Sequence, residues 1–369
     1  MDSSYRINTI DDIITPALAY YPSKIRANIR QMIAMAGDAS RLWPHVKTYK
    51  SAQVVSMLVD ASITSCKCAT IAEAEMAADC GMKHIVLAYP LVGPAIKRFL
   101  ALSAAFPAAE FFAIGDDAEQ IRLLADAAAA QGRVVPFLLD IDTGLHRTGV
   151  SFGTAASLYP ALSALQGLQL RGLHMYDGQL HQSSETERHE AVSAEWTDAL
   201  AFRTAMTARG LDCGIILAGG TPTFPCHTLN DVYLSPGTCV IQDAGYASNY
   251  RDMSFEIAGL VLTRVVSHPG PGLFTLDVGC KAIAADPPIP RAVVLDFEDC
   301  ATVMQNEEHL VLRLPEGQEA RRPAIGTLLY AAPWHTCPTT ILYPQILAVD
   351  NGEIVDVWPV TARDRKITY

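Results

Sequence analysis

Two lysines three residues apart, Lys47 and Lys50, stand in the short run Pro44-His45-Val46-Lys47-Thr48-Tyr49-Lys50, which has β character. A lysine amine attacks a carbonyl only when it is neutral, a state favoured by burial or by a nearby cation. A lysine beside a strand is ordinarily a solvated surface residue, so the run gains meaning only from the other reactive groups in the chain. His335 and Cys337 lie two apart in Pro333-Trp334-His335-Thr336-Cys337-Pro338. In an extended segment that spacing puts both side chains on one face, where imidazole and thiolate could share a divalent metal. Two ligands are too few for a structural zinc site and would leave open positions for water or substrate. A buried cysteine next to an incidental histidine is the alternative.

Two glycine turns, Gly219-Gly220-Thr221 and Ser235-Pro236-Gly237-Thr238, could each aim backbone N–H groups and a hydroxyl at an anion. Either turn alone could simply reverse the chain. Asp142-Thr143-Gly144-Leu145-His146-Arg147-Thr148-Gly149 sets the cation Arg147 on a glycine-bounded turn, and His174, Tyr176, Asp177 and His181 crowd titratable groups into eight residues. A surface ion pair for the arginine and capping or solvated histidines are the ordinary readings of these two segments.

From about Arg41 onward, short apolar β-prone runs alternate with longer alanine-rich amphipathic stretches, the rhythm of repeated βα units around a parallel sheet. The strand candidates are Leu42–Thr48, Ser65–Ala69, His84–Tyr89, Glu110–Ile114, Val134–Ile141, Leu170–Tyr176, Gly214–Ala218 and Val232–Leu234. Helical patterns fall at Ser51–Asp60, Thr70–Cys80, Pro94–Ala104, Asp117–Gln131 and Glu185–Arg209. Eight such strands predict a (β/α)8 barrel over residues 19–244, with reactive groups at the C-terminal strand ends and a phosphate held after strands seven and eight, where the two glycine turns fall. After Gly245 strands follow without helices: Glu256–Val266, Leu273–Val278, Ala292–Phe297, Leu310–Leu314, Thr327–Ala331 and Ile341–Val349. Asn351-Gly352 then signals a hairpin. Residues 245–369 are expected to form a β domain, joined by residues 1–18.

The 369 residues suit about two domains on a prior of roughly 150 residues each. Half the residues are hydrophobic, yet no apolar run reaches the roughly 18 residues of a membrane span, and the start Met1-Asp2-Ser3-Ser4 is polar. Nine scattered cysteines read as thiols in a reducing cytoplasm. A net charge of −11 without a basic cluster argues against nucleic acid and anionic membranes and leaves small molecules as the expected partners.

Together these residues resemble the alanine-racemase-fold (fold type III) pyridoxal-phosphate enzymes, specifically the D-threonine aldolase and D-serine dehydratase family, over nearly the whole chain. The resemblance implies that Lys47 is the Schiff-base lysine and Lys50 a neighbouring partner, with Trp43 and Tyr49 replacing the family's usual Arg and His. Arg147, Tyr176, Gly219, Gly220, Thr221, Gly237 and Thr238 would bind pyridoxal 5'-phosphate. His335 and Cys337 would bind a divalent metal (Zn, Mn or Mg), and His181 would serve as a base. Cys239, Trp334 and a Tyr176–His181 loop about one residue short depart from the family pattern. The implied activity is a lyase acting on 3-hydroxy-D-amino acids, by D-threonine aldolase-type cleavage to glycine and an aldehyde. The alternatives are D-serine dehydratase chemistry giving pyruvate and ammonia, an amino-acid racemase, or a non-catalytic pyridoxal-phosphate carrier. The family also implies a homodimer.

Overall fold

The computed structural model describes residues 2–227 and 231–369. In chain order the first elements are β1 (Ala17–Tyr20) and α1 (Pro22–Ala36). A βα series follows: α2 (Ala52–Asp60), β2 (Ser65–Cys68), α3 (Ile71–Asp79), β3 (His84–Leu87), α4 (Pro94–Ala105), β4 (Glu110–Gly115) and α5 (Ala118–Ala129). It continues through β5 (Val135–Ile141), α6 (Phe152–Leu162), β6 (Leu168–Met175), α7 (Glu185–Ala208), β7 (Ile215–Ala218) and β8 (Tyr233–Leu234).

Strands β2 to β8 pair in parallel in sequence order. Their apolar runs, such as Phe111-Phe112-Ala113-Ile114, are continuous because strands covered on both faces need no polar alternation. The segment before α2 closes the ring. Leu42 bridges Leu234 of β8, and His45 bridges Lys67 of β2. The expected strand Leu42–Thr48 is therefore shorter than its pattern suggested: two bridges stand in for a ladder, and Val46–Thr48 turn into a 3-10 helix. Trp43 explains part of this departure. Its ring packs against Phe112 and Tyr233 at 5.5 Å, in a core with Val86, Ile114, Leu138 and Leu217, and so plugs the ring of strands.

Side-chain caps fix where the helices start. Thr70 accepts from the Glu73 amide at 3.1 Å while Glu73 accepts from the Ala69 amide at 2.6 Å, a reciprocal box that starts α3 just beyond β2. Ser184 caps α7 through the Glu187 amide at 3.4 Å, which ends the long loop after β6. This barrel comprises Met32–Lys47, Ala52–Gly237 and Asp364–Tyr369.

The other compact unit takes the chain through Gln31, Thr48–Ser51 and Thr238–Arg363. It holds α8 (Ala244–Asn249), β9 (Gly259–Ser267), β10 (Leu273–Leu276), β11 (Ala292–Val294), β12 (Ala301–Gln305) and β13 (Leu310–Arg313). It ends with β14 (Leu328–Pro333), α9 (Thr336–Thr340), β15 (Gln345–Asp350) and β16 (Glu353–Pro359). The strands run in the order β12-β13-β10-β9-β1-β15-β16, with β14 pairing β9 and β11. Every pairing is antiparallel except β1 with β15. Ala19, Tyr21, Leu260, Leu262, Tyr330 and Val349 share its core. Asn351 and Gly352 take positive φ, 49° and 81°, at the turn from β15 to β16, as a tight hairpin requires. Among the described residues no helix is long and apolar enough to cross a membrane, and no disulfide forms.

Candidate functional site

The barrel gathers its polar groups at the ends of β2, β5 and β6 and in the turns after β7 and β8. Lys47 lies half-buried where the first barrel segment ends in its 3-10 turn, with its amide 3.4 Å from His45 Nδ1. Lys50 is buried with φ 48°, and its carbonyl accepts from the Ala362 amide at 3.0 Å.

The segment Asp142–Gly149 folds into a tight loop after β5. Gly149 must be glycine: its φ is 99°, and a Cβ there would lie 2.4 Å from the Asp142 nitrogen. The loop presents the exposed Arg147, whose guanidinium carbon is 4.9 Å from the Tyr176 ring centre.

Beyond β6, Asp177 is buried. Its Oδ1 accepts from the Gly220 amide at 3.0 Å, and its Oδ2 pairs with His227 Nε2 at 3.1 Å. Burial works against this charge, but the bonds from His227 and Gly220 outweigh it and hold the carboxyl below its ordinary range. The glycine turns are thereby cross-tied: Gly220 to Asp177, and Gly237, whose amide donates to Thr221 Oγ1 at 3.1 Å. Gly219 has φ 76°, and a Cβ there would sit 3.0 Å from Phe224 Cα, so the close turn excludes any larger residue.

His181 follows in the same segment. Its ring is exposed on the loop after β6, with Nδ1 2.6 Å from the Gln179 carbonyl.

One residue of this region escapes a reading by motif. Lys67, on β2, is only 2% exposed; its Nζ donates to Ser235 Oγ at 2.8 Å and lies 3.5 Å from His174 Nε2. His174 Nδ1 pairs in turn with Asp140 Oδ1 at 2.6 Å. Burial, reinforced by the charge of Lys47, draws the Lys67 amine down to about 7 against the pull of Asp177 and Asp140. The available signal was a lysine inside Ser65-Cys66-Lys67-Cys68, a strand buried at all four positions.

In the other unit the His335–Cys337 pair forms by a route other than an extended segment. His335 is the extended N-cap residue of α9, and Cys337 sits in its first turn, so the two residues straddle a helix start. They still meet: burial works against a charge on His335, but bonding to Cys337 and Asp286 outweighs it and pushes the imidazole up to about 9. Nδ1 of His335 is 2.5 Å from Asp286 Oδ2. Cys337 Sγ lies 3.2 Å from Thr48 Oγ1 and 3.6 Å from Thr238 Oγ1. Asp243 anchors the segment, capping α8 through the Tyr246 amide and accepting from the Thr336 amide at 3.0 Å. Among the described residues no group of three or more His, Cys, Asp or Glu side chains gathers at one point.

Within the barrel the types of donor present suit a phosphorylated pyridine aldehyde: an amine at Lys47, a cation and an aromatic ring at Arg147 and Tyr176, and a hydroxyl on the turn at Thr221. Imidazole with thiolate suits zinc or another borderline divalent ion.

Residues 22–243 match the family model described as alanine racemase, N-terminal domain, and residues 258–349 the one described as putative serine dehydratase domain. D-threonine aldolase of Arthrobacter sp is 28% identical over 356 residues, covering 95% of this chain and 92% of the relative. 3-hydroxy-D-aspartate aldolase of Paracoccus denitrificans is 28% identical over 369 residues, covering 96% and 93%. The crystal structure of D-threonine aldolase from Filomicrobium marinum superposes with a TM-score of 0.88 at 27% identity, covering 95% of this chain and 96% of that one. With a match over more than half its length, this chain belongs to the alanine racemase N-terminal domain family, within the fold type III pyridoxal-phosphate enzymes related to D-threonine aldolase and D-serine dehydratase.

Proposed function

We propose that this chain is a pyridoxal-phosphate- and divalent-metal-dependent lyase that cleaves 3-hydroxy-D-amino acids, D-threonine or a close relative, to glycine and an aldehyde, working as a homodimer. The observation that carries the reading is the His335–Cys337 pair held by Asp286, in a chain that also carries the Lys47 barrel end. A racemase has no use for a metal at the substrate's β-oxygen.

The cofactor, when bound, would withdraw electrons from the substrate's Cα. Lys47 would hold it covalently. The turns of Gly219, Gly220, Thr221, Gly237 and Thr238 would take its phosphate through donors other than the Gly220 and Gly237 amides, which serve Asp177 and Thr221, and Arg147 and Tyr176 would line the ring site. His335 and Cys337 would hold the metal, which supplies Lewis acidity toward the β-hydroxyl. His181 is the proposed base. A Nδ1–H donated to the Gln179 carbonyl fixes the tautomer in which Nε2 takes up the β-hydroxyl proton.

The match of residues 258–349 to a serine dehydratase domain favours a second reading, elimination at Cβ. Here Lys47 Nζ would remove the Cα proton and the metal would assist departure of hydroxide. A product assay on D-threonine, its stereoisomers and D-serine separates the two. Glycine plus an aldehyde supports the lyase proposed here, and a 2-oxo acid plus ammonia replaces it with the dehydratase.

The phosphate assignment has its own test at Gly220. A Cβ there meets Tyr176 Cε2 at 3.4 Å, ordinary contact, so the protein itself tolerates a single methyl. Gly220→Ala is expected to weaken pyridoxal-phosphate binding about tenfold, roughly 1.4 kcal/mol, with little change in Tm. Fluorescence titration of the apoenzyme checks this, and unchanged affinity moves the phosphate to another part of the barrel.

A further inference from the structure

The loops after β5 and β6, which carry Arg147 and Tyr176, are fastened to each other through Gln179. Its Nε2 donates to the Thr143 carbonyl at 2.8 Å and lies 3.1 Å from Thr143 Oγ1, and that hydroxyl donates to the Tyr176 carbonyl at 3.3 Å. The far end of the loop after β5 is tied separately, by Asp116 accepting from the Gly149 amide at 2.6 Å. Gln179 is held in turn from α7, where Glu195 Oε2 lies 3.2 Å from the same Nε2.

Glu195 breaks the pattern of its helix. Val192, Ala199 and Phe202 belong to the buried stripe of α7, and Glu195 stands at helical spacing from each of them. A leucine there would continue the stripe without burying a carboxyl. Among the described residues, Glu195 Oε1 and Gln179 Oε1 are buried atoms with no hydrogen-bond partner. The Thr143 carbonyl, which only accepts, fixes Nε2 on its own side and so assigns the other arm of the Gln179 amide as oxygen. A carboxylate has nothing to donate to that oxygen, whereas a protonated carboxyl has. An acid and a primary amide pair through two bonds, N–H to one acid oxygen and O–H to the amide oxygen. The contact to Glu195 Oε2 is the first, and the second would satisfy both orphaned atoms.

The surroundings favour the protonated form. Burial, reinforced by the charge of Asp177, pushes the Glu195 carboxyl up to about 8 against the pull of bonds from Thr143 and Gln179. Asp177 is itself kept ionised by His227, whose ring packs on Trp196 of α7. The other titratable groups on the packed elements are engaged elsewhere: Asp142 with the Gly144 and His146 amides, Tyr159 of α6 with the Asp212 carbonyl, and Arg188 of α7 with the Gln182 and Ser183 carbonyls.

We propose that Glu195 is a positioning residue for the cofactor site: protonated, it pairs with the Gln179 amide and so fastens the loop after β6 to the loop after β5, setting Arg147 against Tyr176. The proposal rests on the cofactor reading above and deepens it. Opening of the two loops would return Glu195 to water and to its ordinary carboxylate range. The closed arrangement is therefore favoured at low pH, and that preference is lost as pH rises through about 8. Ionised beside Asp177, Glu195 no longer donates, and the tie between the loops loosens.

Hydrogen exchange of the full chain, corrected for the intrinsic rate at each pH, tests this through the backbone amides of the two loops. Wild-type exchange there is expected to be about tenfold faster or more at about pH 9 than at about pH 6. Glu195→Gln, whose neutral amide can make the same paired bonds, is expected to lose that difference, and Glu195→Leu to exchange fast at both. Glu195→Leu should also weaken pyridoxal-phosphate binding about tenfold, roughly 1.4 kcal/mol, with Glu195→Gln restoring it. Wild-type exchange indifferent to pH, a pH step that survives in Glu195→Gln, or unaltered affinity in Glu195→Leu overturns the proposal. If Glu195→Leu does not fold, the comparison of wild type with Glu195→Gln decides. A wild-type protein that takes up no pyridoxal phosphate would refute the cofactor reading and leave the exchange result standing, a distinct failure.

Discussion

Lys47→Ala is expected to abolish the visible absorption of the lysine-bound cofactor and to lower kcat by about 10⁴-fold or more, the scale seen when a covalent group is removed. Lys47 ends the first barrel segment, half-buried, beside a chain that turns immediately into a 3-10 helix. It also lies close enough to Lys67 for its charge to help draw that amine down. Three lysines therefore compete for the covalent role. Lys50 is buried with φ 48°, in a backbone bonded to Ala362. Lys67 is committed to Ser235 and His174. Reduction of the holoenzyme with borohydride followed by peptide mapping identifies the linked residue, and a Lys47→Ala protein that keeps the band with Lys50 or Lys67 modified would end the assignment.

How much of this was legible in the sequence depended on the kind of signal. Parallel strands buried on both faces announce themselves as apolar runs, so β2 to β8 were found within a few residues of their ends. Capped amphipathic helices such as α3 and α7 were equally plain, because Thr70 and Ser184 mark their starts. Short or half-exposed elements gave no such pattern. β12 is exposed at Ala301 and Met304 and interrupted by a register shift, and β16 is mostly exposed. α6 carries Pro160 inside a helix that begins at Phe152. β1 lies far in sequence from its partners β9 and β15, and pairing at that distance leaves no local trace. The same limit applies to the site. Spacing brought His335 and Cys337 together for a geometric reason that the structure replaces with a helix cap. Lys67 and Asp286 belong to no motif; burial and contacts across the fold reveal them.

Removal of the metal is the experiment that separates a Cβ lyase from a racemase on the same fold. Chelation, or His335→Ala, is expected to lower turnover about 100-fold to 1000-fold. This corresponds to the several kcal/mol a Lewis acid contributes, at about 1.4 kcal/mol per factor of ten. The visible spectrum of the bound cofactor should be nearly unchanged, because the metal is expected at the substrate's β-oxygen rather than at the ring. Asp286→Asn supplies a graded version. The carboxylate is 2.5 Å from His335 Nδ1, and fixing that nitrogen points Nε2 toward a metal. Loss of such an orienting partner ordinarily weakens metal binding by about 10-fold to 100-fold, so zinc affinity measured against a competing chelator should fall in that range. Add-back of zinc, manganese and magnesium to the chelated enzyme then ranks the ions, and thiolate from Cys337 favours zinc. Full turnover in metal-free protein, with the cofactor spectrum intact, would remove the reason for placing bond cleavage at Cβ and would favour interconversion of amino-acid stereoisomers.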